Sequence, residues 1–157
     1  SDVCSSDLME TAQTRLLIPA LAPVYRRLSD FSYPLIRLAV GAPMLVHGVG
    51  KLMGGPAPVI AAMAKNGFEP AAPVAYLIIF METIGALCII LGLFTRFFAA
   101  GLCIESFVLT FMVHGPNGFA ANRNGYEMVL TWALIYLALV LRGGGPWSLD
   151  RRLGREL

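Results

Sequence analysis

The stretch "PVAYLIIFMETIGALCIILGL", residues 73–93, constrains this chain more than any other feature. It carries a single charged residue, Glu82, in a run long enough to cross the roughly 30 Å hydrocarbon core of a bilayer as an α-helix. In lipid every backbone N–H and C=O has to be bonded inside the segment, so such a run closes only as a helix. Three more runs share its character. Residues 34–52 have Arg37 at their start and His47 and Lys51 near their end. Residues 97–113 have Glu105 near the middle, and residues 126–141 complete the set. The pattern predicts an all-α, integral-membrane four-helix bundle with short amphipathic surface helices. A soluble four-helix core is excluded, because spans two to four carry almost no polar stripe for water to face.

Composition agrees with this reading. The chain has 157 residues, 57% of them hydrophobic and 14% charged, with a mean hydropathy of +0.68. That length suffices for one unit of four spans and its connections. A net charge of +2, with basic residues flanking apolar runs and forming no stripe, excludes a nucleic-acid footprint.

The first eight residues, "SDVCSSDL", do not belong with the rest: a widely used sequencing adapter, read in frame, encodes "DVCSSDL". Residues 1–8 are therefore expected to be a non-native tail, with the natural chain starting at Met9. The segment after Met9 lacks the basic-then-apolar layout of a cleavable signal peptide. Residues 9–33 form an N-terminal interfacial segment. Within it Leu21, Val24, Tyr25 and Leu28 mark one face of a short helix over 20–29, expected on the membrane surface. Residues 34–142 are the four-span domain. After the first span "GGPAP" breaks the helix, and 57–66 predict a second surface helix closing at Asn66 and Gly67. Residues 143–157 are a C-terminal tail, in which Trp147 is an interface anchor and "SLDRRLGREL" a short polar helix with Ser148 as its N-cap.

With four spans both termini share one side. That side collects nine arginines (15, 26, 27, 37, 96, 142, 151, 152 and 155), against Lys51, Lys65 and Arg123 on the other. The positive-inside rule then places both termini in the cytoplasm.

The ionisable groups inside the spans are the candidate chemistry. At 1.5 Å per residue Glu82 and Glu105 lie roughly 13 and 12 Å into their helices, near the midplane. A charged side chain there costs about 2.5–3.5 kcal/mol on insertion scales, so intramembrane ionisable groups default to functional candidates. Two such carboxylates cannot cheaply both be ionised, so at least one keeps its proton. His47 and Lys51, at i and i+4, share a face. His114 ends the third run and Glu127 opens the fourth. His47, Lys51, Glu82, Glu105, His114 and Glu127 therefore form a candidate polar ligand-binding cluster, with Glu82, His47 and Lys51 the candidate catalytic groups. An imidazole in this setting suits a quinone carbonyl, a haem iron or a proton relay. The rival reading is structural: neutral carboxyls bonded across helices, a histidine bonded to backbone, and Lys51 anchored at headgroup level. A haem clamped by His47 and His114 is disfavoured, since it needs two facing imidazoles with room between helices. No zinc site is expected, because neither histidine has a Cys or carboxylate at ligand spacing. Cys88 and Cys103 sit inside apolar runs as packing residues. "RGGGP" follows a span instead of opening a helix after a strand, so it is no phosphate cradle.

Four fragments in order, "HGVGKLMG" (47–54), "METIGALCIILGLFTR" (81–96), "HGPNGF…GYE" (114–127) and "SLDRR" (148–152), resemble the DoxX family of small bacterial membrane proteins. The likeness extends over about residues 33–153, and His47, Gly48, Lys51, Glu82, Arg96 and His114 are the motif positions it carries over. Gly92 and Thr95 belong to a tight turn. The family is named for a subunit of an archaeal terminal oxidase and thiosulfate:quinone oxidoreductase assembly, and other members look like parts of membrane redox or oxidative-stress complexes. The resemblance implies a subunit of a quinone-linked membrane oxidoreductase, with a protein partner or further copies of itself. It does not make the chain an enzyme on its own, since any redox chemistry would need a bound quinone or a partner. A non-catalytic assembly subunit and a small proton-coupled transporter are the alternatives.

Overall fold

The computed structural model describes residues 16–155. The expectations for residues 1–8, and for the first part of the 9–33 segment, lie outside the described residues. The chain divides into two compact units between Asp30 and Phe31. In the first, a 3-10 turn over Pro19–Leu21 leads into α1 (Ala22–Leu28), which buries none of its side chains.

The second unit is built from helices, and no strand occurs among the described residues. Its elements are α2 (Ser32–Gly54), α3 (Pro56–Lys65), α4 (Ala71–Phe80), α5 (Ala86–Leu91), α6 (Thr95–Leu109), α7 (Glu127–Arg142) and α8 (Leu149–Leu153). A π-helical turn over Met81–Gly85 joins α4 to α5, and a second one over Thr110–His114 extends α6. Three helical stretches are long and apolar enough to cross a membrane: Pro19–Gly54, Ala71–Leu91 and Thr95–Asn117. The expected fourth span is α7, whose 16 residues reach about 24 Å, short of a complete crossing.

Punctuation follows local chemistry. Gly55, at φ +80°, ends α2, and Pro56 starts α3 where a missing N–H costs nothing. Gly92 ends α5 in the left-handed region at φ +68°, where a side chain would be strained and would also run into the Arg37 guanidinium. Ser148 caps α8 as expected, its hydroxyl accepting from the Arg151 N–H at 3.2 Å.

Two apolar cores hold the unit together. The larger centres on Val40, Met44, Ile89, Phe98, Leu102 and Tyr136, where α2, α5, α6 and α7 meet. Tyr136 is fully buried, and its hydroxyl donates to the Val40 carbonyl at 3.1 Å, tying α7 to α2. The smaller seats Val59 and Met63 of α3 against Ala71, Ala75, Ile78 and Ile79 of α4. The helix expected only to lie on a surface is thus docked by one apolar face. Outward-facing positions are also apolar: Leu35, Val46, Leu77, Ile84, Ile104, Phe111, Leu134 and Leu141 are all exposed. In water such a belt would be a large association surface, whereas in a bilayer it meets its own solvent.

Candidate functional site

The site is set by a close approach of α2 to the π turn. Gly48 lies on α2 one turn before Lys51, and a Cβ there would fall on the Glu82 backbone carbonyl group. Without a side chain at 48, the two backbones pack together, and Lys51 reaches Glu82. Its ammonium donates to Glu82 Oε1 in the ion pair that bridges the helices. Glu82 is almost wholly buried at 3% exposure, and its Oε2 has no hydrogen-bond partner among the described residues. The π turn matters here because an inserted residue widens the helix and redirects one side chain, a feature common at functional sites.

A cavity of about 440 Å³ opens beside this pair, and His47, Lys51, Glu82, Ser106, His114 and Trp132 line it. The two "VHG" histidines of the sequence therefore share one wall-to-wall space, brought there by two helices. His47 meets Trp132 edge to face, with ring centroids 5.5 Å apart. His114 Nδ1 is 2.9 Å from the Asn124 carbonyl, which can only accept, so Nδ1 carries a hydrogen and Nε2 is the lone-pair nitrogen of the neutral tautomer. Asn124 stands in the loop between α6 and α7, which closes back on itself: Gly118 and Phe119 carbonyls accept from Tyr126 and Glu127 N–H groups at 3.1 and 3.0 Å.

Four of the six residues singled out from the sequence thus line one cavity. Glu105 lies beside Glu82 and within the field of Lys51. It opens on the other side, into an apolar groove of about 490 Å³ with Met63, Phe68, Leu77, Phe97 and Ile104. Glu127 stands apart and exposed. Its Oε2 accepts the Ala121 N–H at 3.2 Å, fastening the loop to the start of α7. No group of three or more His, Cys, Asp or Glu able to hold a metal occurs among the described residues. Cys103 is buried, its thiol directed at the Ala133 carbonyl at 3.4 Å.

Sequence reasoning missed a second polar centre at the opposite end of the unit. Arg37, read as a flanking charge, is buried at 2% exposure and donates through Nη2 to the Trp147 carbonyl at 2.7 Å. Asp150, read as part of a polar tail helix, is buried at 1% exposure. Its Oδ1 accepts the Phe94 N–H at 2.6 Å, and its Oδ2 accepts the Thr95 N–H at 2.9 Å and the Thr95 hydroxyl at 2.7 Å. The carboxylate therefore caps α6 where the helix dipole is positive. Arg96 donates to the Val140 and Leu141 carbonyls at 2.6 and 3.0 Å, closing the last turn of α7. The signal available was the "TR" of the tight turn together with "SLD", a carboxylate with a basic flank and no stated partner.

A protein of Haemophilus influenzae (strain ATCC 51907 / DSM 11121 / KW20 / Rd), named only as uncharacterized, is 32% identical over 124 residues, covering 77% of this chain and 90% of its own. A second uncharacterized protein of the same strain is 35% identical over 69 residues, covering 44% of this chain, which spans about half of that relative's length (46%). No solved structure matches. The DoxX family model matches residues 33–115, which run from the first turn of α2 through the His114 turn and hold His47, Gly48, Lys51, Glu82, Ser106 and His114, while Asn124 and Trp132 of the same cavity lie beyond them. This chain belongs to the DoxX family of membrane proteins.

Proposed function

We propose that this DoxX-family membrane protein is the quinone-handling subunit of a membrane oxidoreductase or oxidative-stress complex, and that the cavity of His47, Lys51, Glu82 and His114 is its site. The observation that carries the reading is a part-buried ion pair, Lys51–Glu82, forming the wall of a cavity that two imidazoles also line. The residues fit such a head group. The volume lies in the range of small-molecule sites, Trp132, Met44 and Met128 supply flat apolar surface, and Lys51 and the histidines supply donors. A bound quinone would supply two-electron chemistry, with electrons exchanged through a partner protein. The chain's own residues do the rest. His114, held by Asn124, keeps its Nε2 as an acceptor for a hydroxyl proton, while Lys51 donates to a carbonyl oxygen and Glu82 holds the ammonium in place.

The same proposal includes topology. α7 is taken as a fourth span: it turns Met128, Leu134, Leu137 and Leu141 outward, and Arg142 with Trp147 supplies an interfacial end. Both termini are then cytoplasmic in a bacterial inner membrane, with 34–142 as the membrane domain and α8 on the cytoplasmic face.

The test is the quinone content of protein purified gently from its own membranes, for wild type, Glu82→Gln and His47→Ala at matched folding and lipid retention. Near-stoichiometric quinone in wild type, lost in either variant, supports the site. Quinone at the lipid background in all three overturns it and leaves the assembly-subunit reading.

A further inference from the structure

Glu105 is not used by the cavity reading, yet its position beside Glu82 is the least ordinary feature of the molecule. Glu82 gives Oε1 to Lys51, while Glu82 Oε2 and Glu105 Oε1 are both buried without a hydrogen-bond partner among the described residues. The hydroxyl of Ser106, which lines the cavity with Glu82, is buried and unpartnered as well. The other titratable groups around the pair are few. Lys51 and Tyr136 are within electrostatic range, the Tyr136 hydroxyl already being given to Val40, and His47 and His114 face Glu82 across the cavity.

Charge counting then decides the state of the pair. With both carboxyls ionised, two negative groups would face one ammonium in a low-dielectric interior, an arrangement that like-charge repulsion and desolvation both oppose. With one proton between the carboxyls, the Lys51–Glu82–Glu105 group is neutral, and a hydrogen becomes available to two neighbouring side chains that each bury an unpartnered oxygen. The pair also has two different outlooks: Glu82 lines the polar cavity, and Glu105 lines the apolar groove.

We propose that Glu82 and Glu105 form a proton-sharing carboxyl pair set in the wall between the polar cavity and the apolar groove, with Glu105 holding the proton on the lipid side. The pair is a proton-binding and proton-transfer site whether or not the cavity takes a quinone. In transfer, the O–H bond of Glu105 breaks as one forms on the Glu82 carboxylate, Lys51 staying an ammonium. A lipid-soluble hydroxyl or acid in the groove then re-protonates Glu105 as Glu82 releases its proton to the cavity, so the pair always holds one.

Dicyclohexylcarbodiimide, a lipid-soluble reagent, adds to protonated carboxyls reached from the membrane, and a water-soluble carbodiimide adds to those reached from solvent. Full-length wild type in lipid nanodiscs at neutral pH is treated with each, and the adducts are located by peptide mass spectrometry. Glu105 is expected to take the lipid-soluble reagent and exclude the water-soluble one, with exposed Glu127 showing the reverse. In Glu82→Gln the lone Lys51 ammonium draws Glu105 into its ionised form, and Glu105 labelling falls by about tenfold. Glu82→Gln combined with Lys51→Met restores it. An unlabelled Glu105 in wild type, with Glu127 labelled, overturns the proposal, as does labelling indifferent to Glu82→Gln. Wild type alone gives the first of these readings, and none of them depends on quinone content.

Discussion

At one end of the helical unit Asp150 spends both carboxylate oxygens on the start of α6, with Arg37 in its field. At the other, Glu82 gives one oxygen to Lys51 and keeps the other unpartnered at the edge of a cavity. Both ends bury a carboxylate within the field of a basic side chain, and only one leaves it room. Asp150 bonds to backbone N–H groups that cannot move without unwinding α6. Glu82 bonds to a flexible lysine on a π turn, where partners can be exchanged. The first arrangement suits a lock that fixes the terminal helix against the α5–α6 turn. The second suits a group that changes partner or protonation state.

Four variants press on this contrast. Asp150→Ala carries the largest expected effect: it removes three hydrogen bonds between a buried carboxylate and the start of α6, a loss of about 3–5 kcal/mol. Reversible unfolding in mixed micelles measures it, and a loss below about 1 kcal/mol would end the description of that centre as a lock. Gly48→Ala comes next. Its Cβ meets the Glu82 backbone, which cannot yield as a side chain would, so α2 is pushed off the π turn at a cost of about 1–3 kcal/mol. Any ligand held by the cavity should be lost with it, and unchanged binding would separate the cavity from the α2 approach. Ser148→Ala removes the cap of α8 for about 1 kcal/mol, read as a lower unfolding midpoint with cavity binding intact.

Glu82→Gln should move stability least. An amide keeps a hydrogen bond, half-buried Lys51 retains access to the cavity, and Glu105 is there to pair with it. The expected change is under about 1 kcal/mol, with the effect appearing in ligand content. A loss as large as that of Asp150→Ala would make the two ends alike and favour a structural role for both.

How much of this was legible varies with the range of the interaction. Helix positions followed from apolar run length, from Gly55, Gly92 and Pro56 at the breaks, and from the Ser148 cap, all of which act within a few residues. The i, i+4 spacing of His47 and Lys51 placed both on the wall of one cavity, and His114 joined them because α2 and α6 bring their ends to the same side. The π turns at Met81–Gly85 and Thr110–His114 left no mark in the sequence pattern, since one inserted residue barely shifts a nearly uniform apolar run. Glu127 was grouped with the cluster by its height along α7. Rotation about the helix axis, set by Tyr136 packing onto Val40, put it outside.

What the sequence determined alone was the class of solvent and the element that survives in it: long runs without charge must be helices facing lipid, because nothing else satisfies their backbone there. The pairing of charges was decided by the tertiary structure. Lys51 meets Glu82 across 31 residues, and Asp150 meets Thr95 across 55. Each contact depends on a glycine-permitted approach or a returning tail that no local spacing encodes. Which carboxylate is locked and which is left able to act was settled by packing.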